Sequence, residues 1–208
     1  MPTPETLLAF LVTAVVLTAT PGPDNLMVLS VGMSRGRLAG MVFGLGCALG
    51  CLSHTALAAL GVGALIAASP AAFTALRWAG GAYLLWLGVQ AWRHAGGGAA
   101  PGAAQAPTGL GRLFAKGLLA NAINPKVVLF FLSLLPQFVH PEQGPVAPQM
   151  AVLGTLFTLQ AAVLFGLLGA ASGAIGQWLQ RRPRAGFWLD RLAATVFVGL
   201  GLRLMVAR

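Results

Sequence analysis

"LTATPGPDNLMVLS", Leu17 to Ser30, places two prolines, a glycine and an aspartate inside an otherwise apolar run. Proline has no backbone N–H and its ring clashes with the preceding helical turn, so a helix entering this stretch has to stop and a new one begin. Such a break leaves carbonyls of the first helix and N–H groups of the second without partners. Asp24 sits beside the start of the second helix, where negative charge is favoured. The stretch therefore reads as two half-helices meeting at a polar point.

Composition says where that point lies. The 208 residues are 57% hydrophobic and only 8% charged, with a mean hydropathy of +0.82, whereas a soluble domain carries roughly a quarter charged residues. Long apolar runs without the alternation of barrel strands indicate an all-α integral membrane protein. At about 20 residues per crossing, six transmembrane helices are expected, at 5–33, 41–68, 71–92, 113–138, 150–178 and 187–206. The N-terminus "MPTPETLLAF" has no basic leader region and carries Glu5, so the first span is expected to be retained.

The net charge of +9 does not point to nucleic acid, because the basic residues sit in short clusters between apolar spans. They read as topology signals. Arg35, Arg37, Arg93, Arg112, Lys116, Arg181, Arg182, Arg184 and Arg191 fall in alternate connections. By the positive-inside rule these face the cytoplasm, and both termini are extracytoplasmic. Arg77, Arg203 and Arg208 lie near outer ends, where long side chains can snorkel.

A low-complexity linker at 93–112 separates a three-helix block at 1–92 from another at 113–208. Three is odd, so a repeat of one block by the other must be inverted in the membrane. The second block has its own break, "INPKVVLFFLS" from Ile123 to Ser133, and the first and fourth helices are both expected to be broken. Thr20 precedes Pro21 and Asn124 precedes Pro125, each a residue able to cap a half-helix. Aligning Pro23 with Pro125 makes Asp24 and Lys126 equivalent. Lys126 is disfavoured by the local dipole and costs about 2.5–3.5 kcal/mol at mid-membrane, so something must compensate it. Asp24 and a substrate carboxylate are the simplest candidates, and a structural ion pair locking the blocks together is the alternative to a transport role.

These residues also resemble a known family, the LysE-type translocators of lysine, homoserine, threonine and related amino acids. "TPGPDNLMVLS", "GRLAGMVFGLGCALG", "GGAYLLWLGVQAWR", "NPKVVLFFLSLLPQFV" and "LDRLAATVFVGLGLRLMVAR" stand in the family's order over nearly the whole chain. The resemblance implies a bacterial inner-membrane amino-acid exporter driven by the proton gradient. It carries over Pro21, Gly22, Pro23, Asp24, Asn25, Asn124, Pro125 and Lys126 as motif positions. In the fifth span, where acidic or polar stretches are frequent in the family, this chain has only Gln160.

Further candidates stand beside bland readings. His54 is a proton relay or a hydrogen-bonded packing residue. Tyr83 is a cavity contact or a packing aromatic, and Trp92 marks the inner interface. Glycines 32, 36, 40 and 44 form a row that packs helices within one subunit or seams a homodimer. Cys47 and Cys51, four apart in an apolar run, make no CxxC or zinc pattern and read as packing residues. No phosphate-binding GxxxxGK[ST] motif is present. The expected activity is secondary-active export, without enzyme chemistry, cofactor or metal. Export of another small solute, a redox protein and a passive membrane subunit are the competing classes.

Overall fold

The computed structural model describes residues 1–62, 69–93, 95 and 109–206. Most of the linker expected at 93–112, the end of the second span at 63–68 and Arg208 lie outside them. Among the described residues there are nine α-helices and no strand.

Helix α1 (Pro4–Ala19) opens with Thr3, whose side chain accepts the Thr6 N–H at 3.3 Å. It stops where Pro21 and Pro23 can no longer donate to it, and α2 (Pro23–Arg35) leaves at 55° to it. Gly36 has φ +91°, a region open to glycine and closed to most side chains. One residue therefore suffices to turn α2 into α3 (Arg37–Leu57), which continues as a π turn over Ala58–Val62. Helix α4 spans Pro70–Arg93. The second break parts α5 (Leu110–Ala122) from α6 (Pro125–Leu129), which runs on through π and 3₁₀ turns to Phe138, bent by 49° from α5. Helix α7 (Val146–Ala170) follows, then α8 (Ser172–Arg181) and α9 (Pro183–Val206). The fifth span expected at 150–178 is thus interrupted at Ala171, and α8 is a separate helix.

Arg37–Gly61 and Val146–Ala170 are each long and apolar enough to cross a bilayer, and so is each broken pair taken as a unit. Helices α4 and α9, of 24 residues each, have the length but are less apolar.

Helix α3 is the central element, packed against α2, α5 and α7, while α4 pairs with α9 and α1 with α7. Backbone meets backbone where α3 crosses α5: a Cβ on Gly46 would overlap the Phe114 carbonyl, and one on Gly117 the Phe43 carbonyl. Small residues permit that approach, which brings Asn121 against α3. Three glycines of the row face inward: Gly32 and Gly40 meet each other and α7–α8, and Gly44 meets Phe165. These three pack within the subunit, the first of the two readings of the row, while Gly36 meets no neighbour. Phe10, Phe130, Phe131, Phe138 and Phe157 fill the core below α1, with ring centroids 5.0–6.1 Å apart.

Candidate functional site

Both helix breaks leave orphaned carbonyls, and the identity of their replacement donors builds the site. In α1 the Leu17 carbonyl would accept from residue 21, but Pro21 has nothing to donate. The Lys126 ammonium fills the place, donating to Leu17 O at 2.9 Å and to Thr20 O at 3.1 Å. The next carbonyl, Thr18 O, loses its helical partner because Gly22 is fully extended, and accepts from Asn25 Nδ2 at 2.8 Å. Lys126 thus belongs by sequence to the positive start of α6 and by contact to the negative end of α1, where a cation is favoured. Phe197 presents its ring 5.2 Å from the same ammonium.

This arrangement decides one open alternative and corrects one expectation. Lys126 and Asp24 form no ion pair, although both are only 5% exposed and line one cavity. Backbone carbonyls hold the ammonium instead, because the break supplies them at the right depth. Thr20 does not cap α2. It ends α1, donating from Oγ1 to Val16 O at 2.6 Å, and α2 has Gly22 at its cap position with no side-chain cap. The N-terminus of α2 is left open toward the cavity. Asn124 behaves as expected, its Oδ1 accepting the Lys126 N–H at 3.0 Å.

At the second break, Pro125 orphans Asn121 O by the same count of four. That oxygen accepts from Asn124 N at 2.9 Å and bonds His54 Nε2 at 3.1 Å. A carbonyl can only accept, so Nε2 carries the proton; the buried Nδ1 has no partner. The Asn121 side chain donates to Asp24 Oδ2 at 2.7 Å and accepts from the Cys51 thiol at 3.4 Å. Asn121, 1% exposed, therefore joins His54, Cys51 and Asp24. The sequence reading missed it. A signal was present, since counting back four residues from Pro125 identifies the carbonyl that the proline strands, and that residue is polar in an apolar run. Cys47 and Cys51 both sit in the core as expected, and Cys51 adds the bond to Asn121.

Between the two breaks lies a cavity of about 20 Å³, room for about one water molecule. Its wall includes Gly22, Asp24, Asn25, Asn121, Asn124 and Lys126. Asp24 Oδ1 is buried there without a partner. Gln160 donates to the hydroxyl of Thr18, a cavity residue, at 2.9 Å, and its Oε1 is also unpartnered. Pro23 lines the cavity as well, with Pro21 two residues before it. Tyr83 is not part of this wall. It stacks on the exposed Trp86 at 5.5 Å, because α4 turns its glycine face toward α9 and the opposite face outward. Arg77 donates to Leu204 O at 3.1 Å near the end of α9. At the other end of that pair, Arg191 lies 3.6 Å over the Trp92 ring.

Comparison with known proteins returns membrane transporters. The family model for LysE type translocators matches residues 15–208. An uncharacterized membrane protein of Vibrio cholerae is 37% identical over 207 residues, covering 97% of each chain. A homoserine/homoserine lactone efflux protein of Salmonella typhimurium is 33% identical over 206 residues, 96% of each chain. A threonine efflux protein of Escherichia coli K12 is 31% identical over 203 residues, 93% of this chain and 94% of the other. No solved structure matches. With a buried polar cavity at paired helix breaks and a family match over nearly its whole length, the chain belongs to the LysE-type translocator family.

Proposed function

We propose that this chain is a secondary-active exporter of a small zwitterionic amino acid in the bacterial inner membrane. The observation that carries the reading is the separation of Asp24 and Lys126: two buried opposite charges share one cavity without neutralising each other. Buried charges are normally paired, and a zwitterion supplies both partners. The substrate ammonium takes the open Asp24 Oδ1. Its carboxylate faces the uncapped start of α2 and the third proton of the Lys126 ammonium. The names of the Salmonella and Escherichia relatives favour homoserine and threonine as first substrates to try.

The mechanism is alternating access between two inverted blocks, 1–92 and 113–208, joined by the 93–112 linker. Exchange of partners supports it: α1 of the first block packs on α7 of the second, and α5 of the second on α3 of the first. The self-equivalent pairs α3–α7 and α4–α9 run antiparallel, as Gly44 on Phe165 with Thr55 on Gly154, and Gly81 on Gly201 with Gly88 on Ala194, indicate. Six crossings with both termini outside fit those directions and the placement of the basic residues. Export is coupled to protons, with Asp24 the exchanging group and His54 tuning it through Asn121.

Proteoliposomes loaded with homoserine and threonine should release them when a pH gradient is applied. Asp24→Asn should fold, since Asn accepts the same bond from Asn121, and should lose gradient-driven release. Retained release in a folded Asp24→Asn protein would sink the reading. Reporter fusions after Val206 and within 96–106 should report opposite faces.

A further inference from the structure

The cavity cannot admit an amino acid as it stands, so the substrate needs a way in, and the fold contains a second and larger space beside it. A groove of about 400 Å³ runs between α2 and α5, with Phe43 of α3 behind it. Arg35 and Lys116 flank one end; Met27 and Ile123 line the other. Met27 lies one turn beyond Asp24, and Ala120 and Ile123 bracket Asn121. That end of the groove thus lies within one turn of Asp24 and Asn121, whose hydrogen bond stands in the wall of the cavity. Helices α2 and α5 touch each other only lightly; α5 packs mainly on α3, and α2 on α3, α7 and α8. They are also the half-helices on one side of both breaks, each hinged at prolines. Two halves held apart along their length and joined by a bond at the apex can separate without dismantling the α3 packing.

We infer that this groove is the cytoplasmic access route for the substrate, and that the Asp24–Asn121 hydrogen bond is its inner gate. The inference rests on the proposed export function and on the inside placement of Arg35 and Lys116. The basic mouth draws the substrate carboxylate by long-range attraction. At the apex the substrate ammonium replaces Asn121 Nδ2 as the donor to Asp24, so arrival of the substrate itself releases the gate. Ser30 is the polar group partway along the wall, and the rest of that wall is largely apolar, which keeps residence there short. Asn121 is then a positioning residue: it holds Asp24 in the closed state.

The test uses inside-out membrane vesicles, where export appears as uptake of labelled homoserine or threonine. Ala120→Trp and Ser30→Trp each fill the groove from a different helix, and each should slow uptake at least about tenfold, equivalent to a barrier increase of about 1.4 kcal/mol. Lys116→Glu should raise KM with little change in the maximal rate. Ser30→Cys should react with a membrane-impermeant thiol reagent from the cytoplasmic face, more slowly with substrate present; the native chain, whose two cysteines are buried, gives the background. Wild-type uptake in both folded tryptophan variants would overturn the route. Labelling of Ser30→Cys only by a lipid-soluble reagent would also overturn it, and would make the groove a lipid site. If the native protein takes up neither probe, the export reading fails instead, and the impermeant reagent still decides whether the groove is an aqueous path.

Discussion

The two helix breaks begin from the same chemistry and end differently. Pro21 and Pro125 each strand the carbonyl four residues earlier, and each break starts a new helix with proline. In the second block the repair is local on one side: Asn124 caps α6 with its own side chain. In the first block it comes from the other half of the molecule, because Lys126 reaches across to α1 and α2 has no side-chain cap. The difference teaches that the breaks are one device. The second is self-sufficient enough to present Lys126 in a fixed place, and the first is completed by Lys126.

The strongest way to break this comparison is to remove the cross-block repair. Lys126→Met should destabilise by about 1–3 kcal/mol for each carbonyl left unpaired and abolish export, read by thermal unfolding in detergent and by vesicle uptake. Adding Asp24→Asn should not restore stability, because a neutral residue at 24 leaves Leu17 O and Thr20 O without a donor. Recovery in the double variant would mean that the two charges act as a direct pair.

Gly22→Ala sharpens the same point with a smaller change. The backbone at Gly22 is extended and tolerates alanine, but the new Cβ would lie 3.2 Å from Lys126 Nζ and 3.5 Å from its Cδ. The ammonium has to yield, so export should fall several-fold while the unfolding temperature barely moves. Unchanged export would show that the position of Lys126 has more tolerance than the geometry implies.

His54→Gln addresses the second break. Glutamine can still donate to Asn121 O, so the fold and the substrate preference should persist while the pH profile of export changes. Complete loss of export in a folded protein would make His54 an essential proton carrier. The smallest effect is expected for Asn124→Ala, which removes a cap worth about 1 kcal/mol and leaves the Lys126 contacts in place, as a modest fall in unfolding temperature would show.

Much of this architecture could be read from the sequence, because its causes are local or additive. Hydropathy sums along the chain and marks apolar helices; proline's missing N–H acts within one turn and marks the breaks. Gly22, Pro23, Asp24 and Asn25 of "PGPDN" and Asn124 and Lys126 of "NPK" line one cavity, and the family match agrees with the resemblance those residues suggested. The interruption at Ala171 was missed although Ser172, Gly173 and Gly176 follow it and the chain turns polar there, because a span was fitted to length alone.

What only the tertiary structure decided is which donor meets each stranded carbonyl and which charge meets which partner. Lys126 and Leu17 are 109 positions apart, and Asn121 and Asp24 are 97 apart. Sequence says that a buried carbonyl or ammonium must be satisfied, because leaving it bare in a low-dielectric interior is costly. It does not say by whom. That choice depends on how closely α3, α5 and α7 approach through their glycines, a matter of backbone distance that no residue encodes alone.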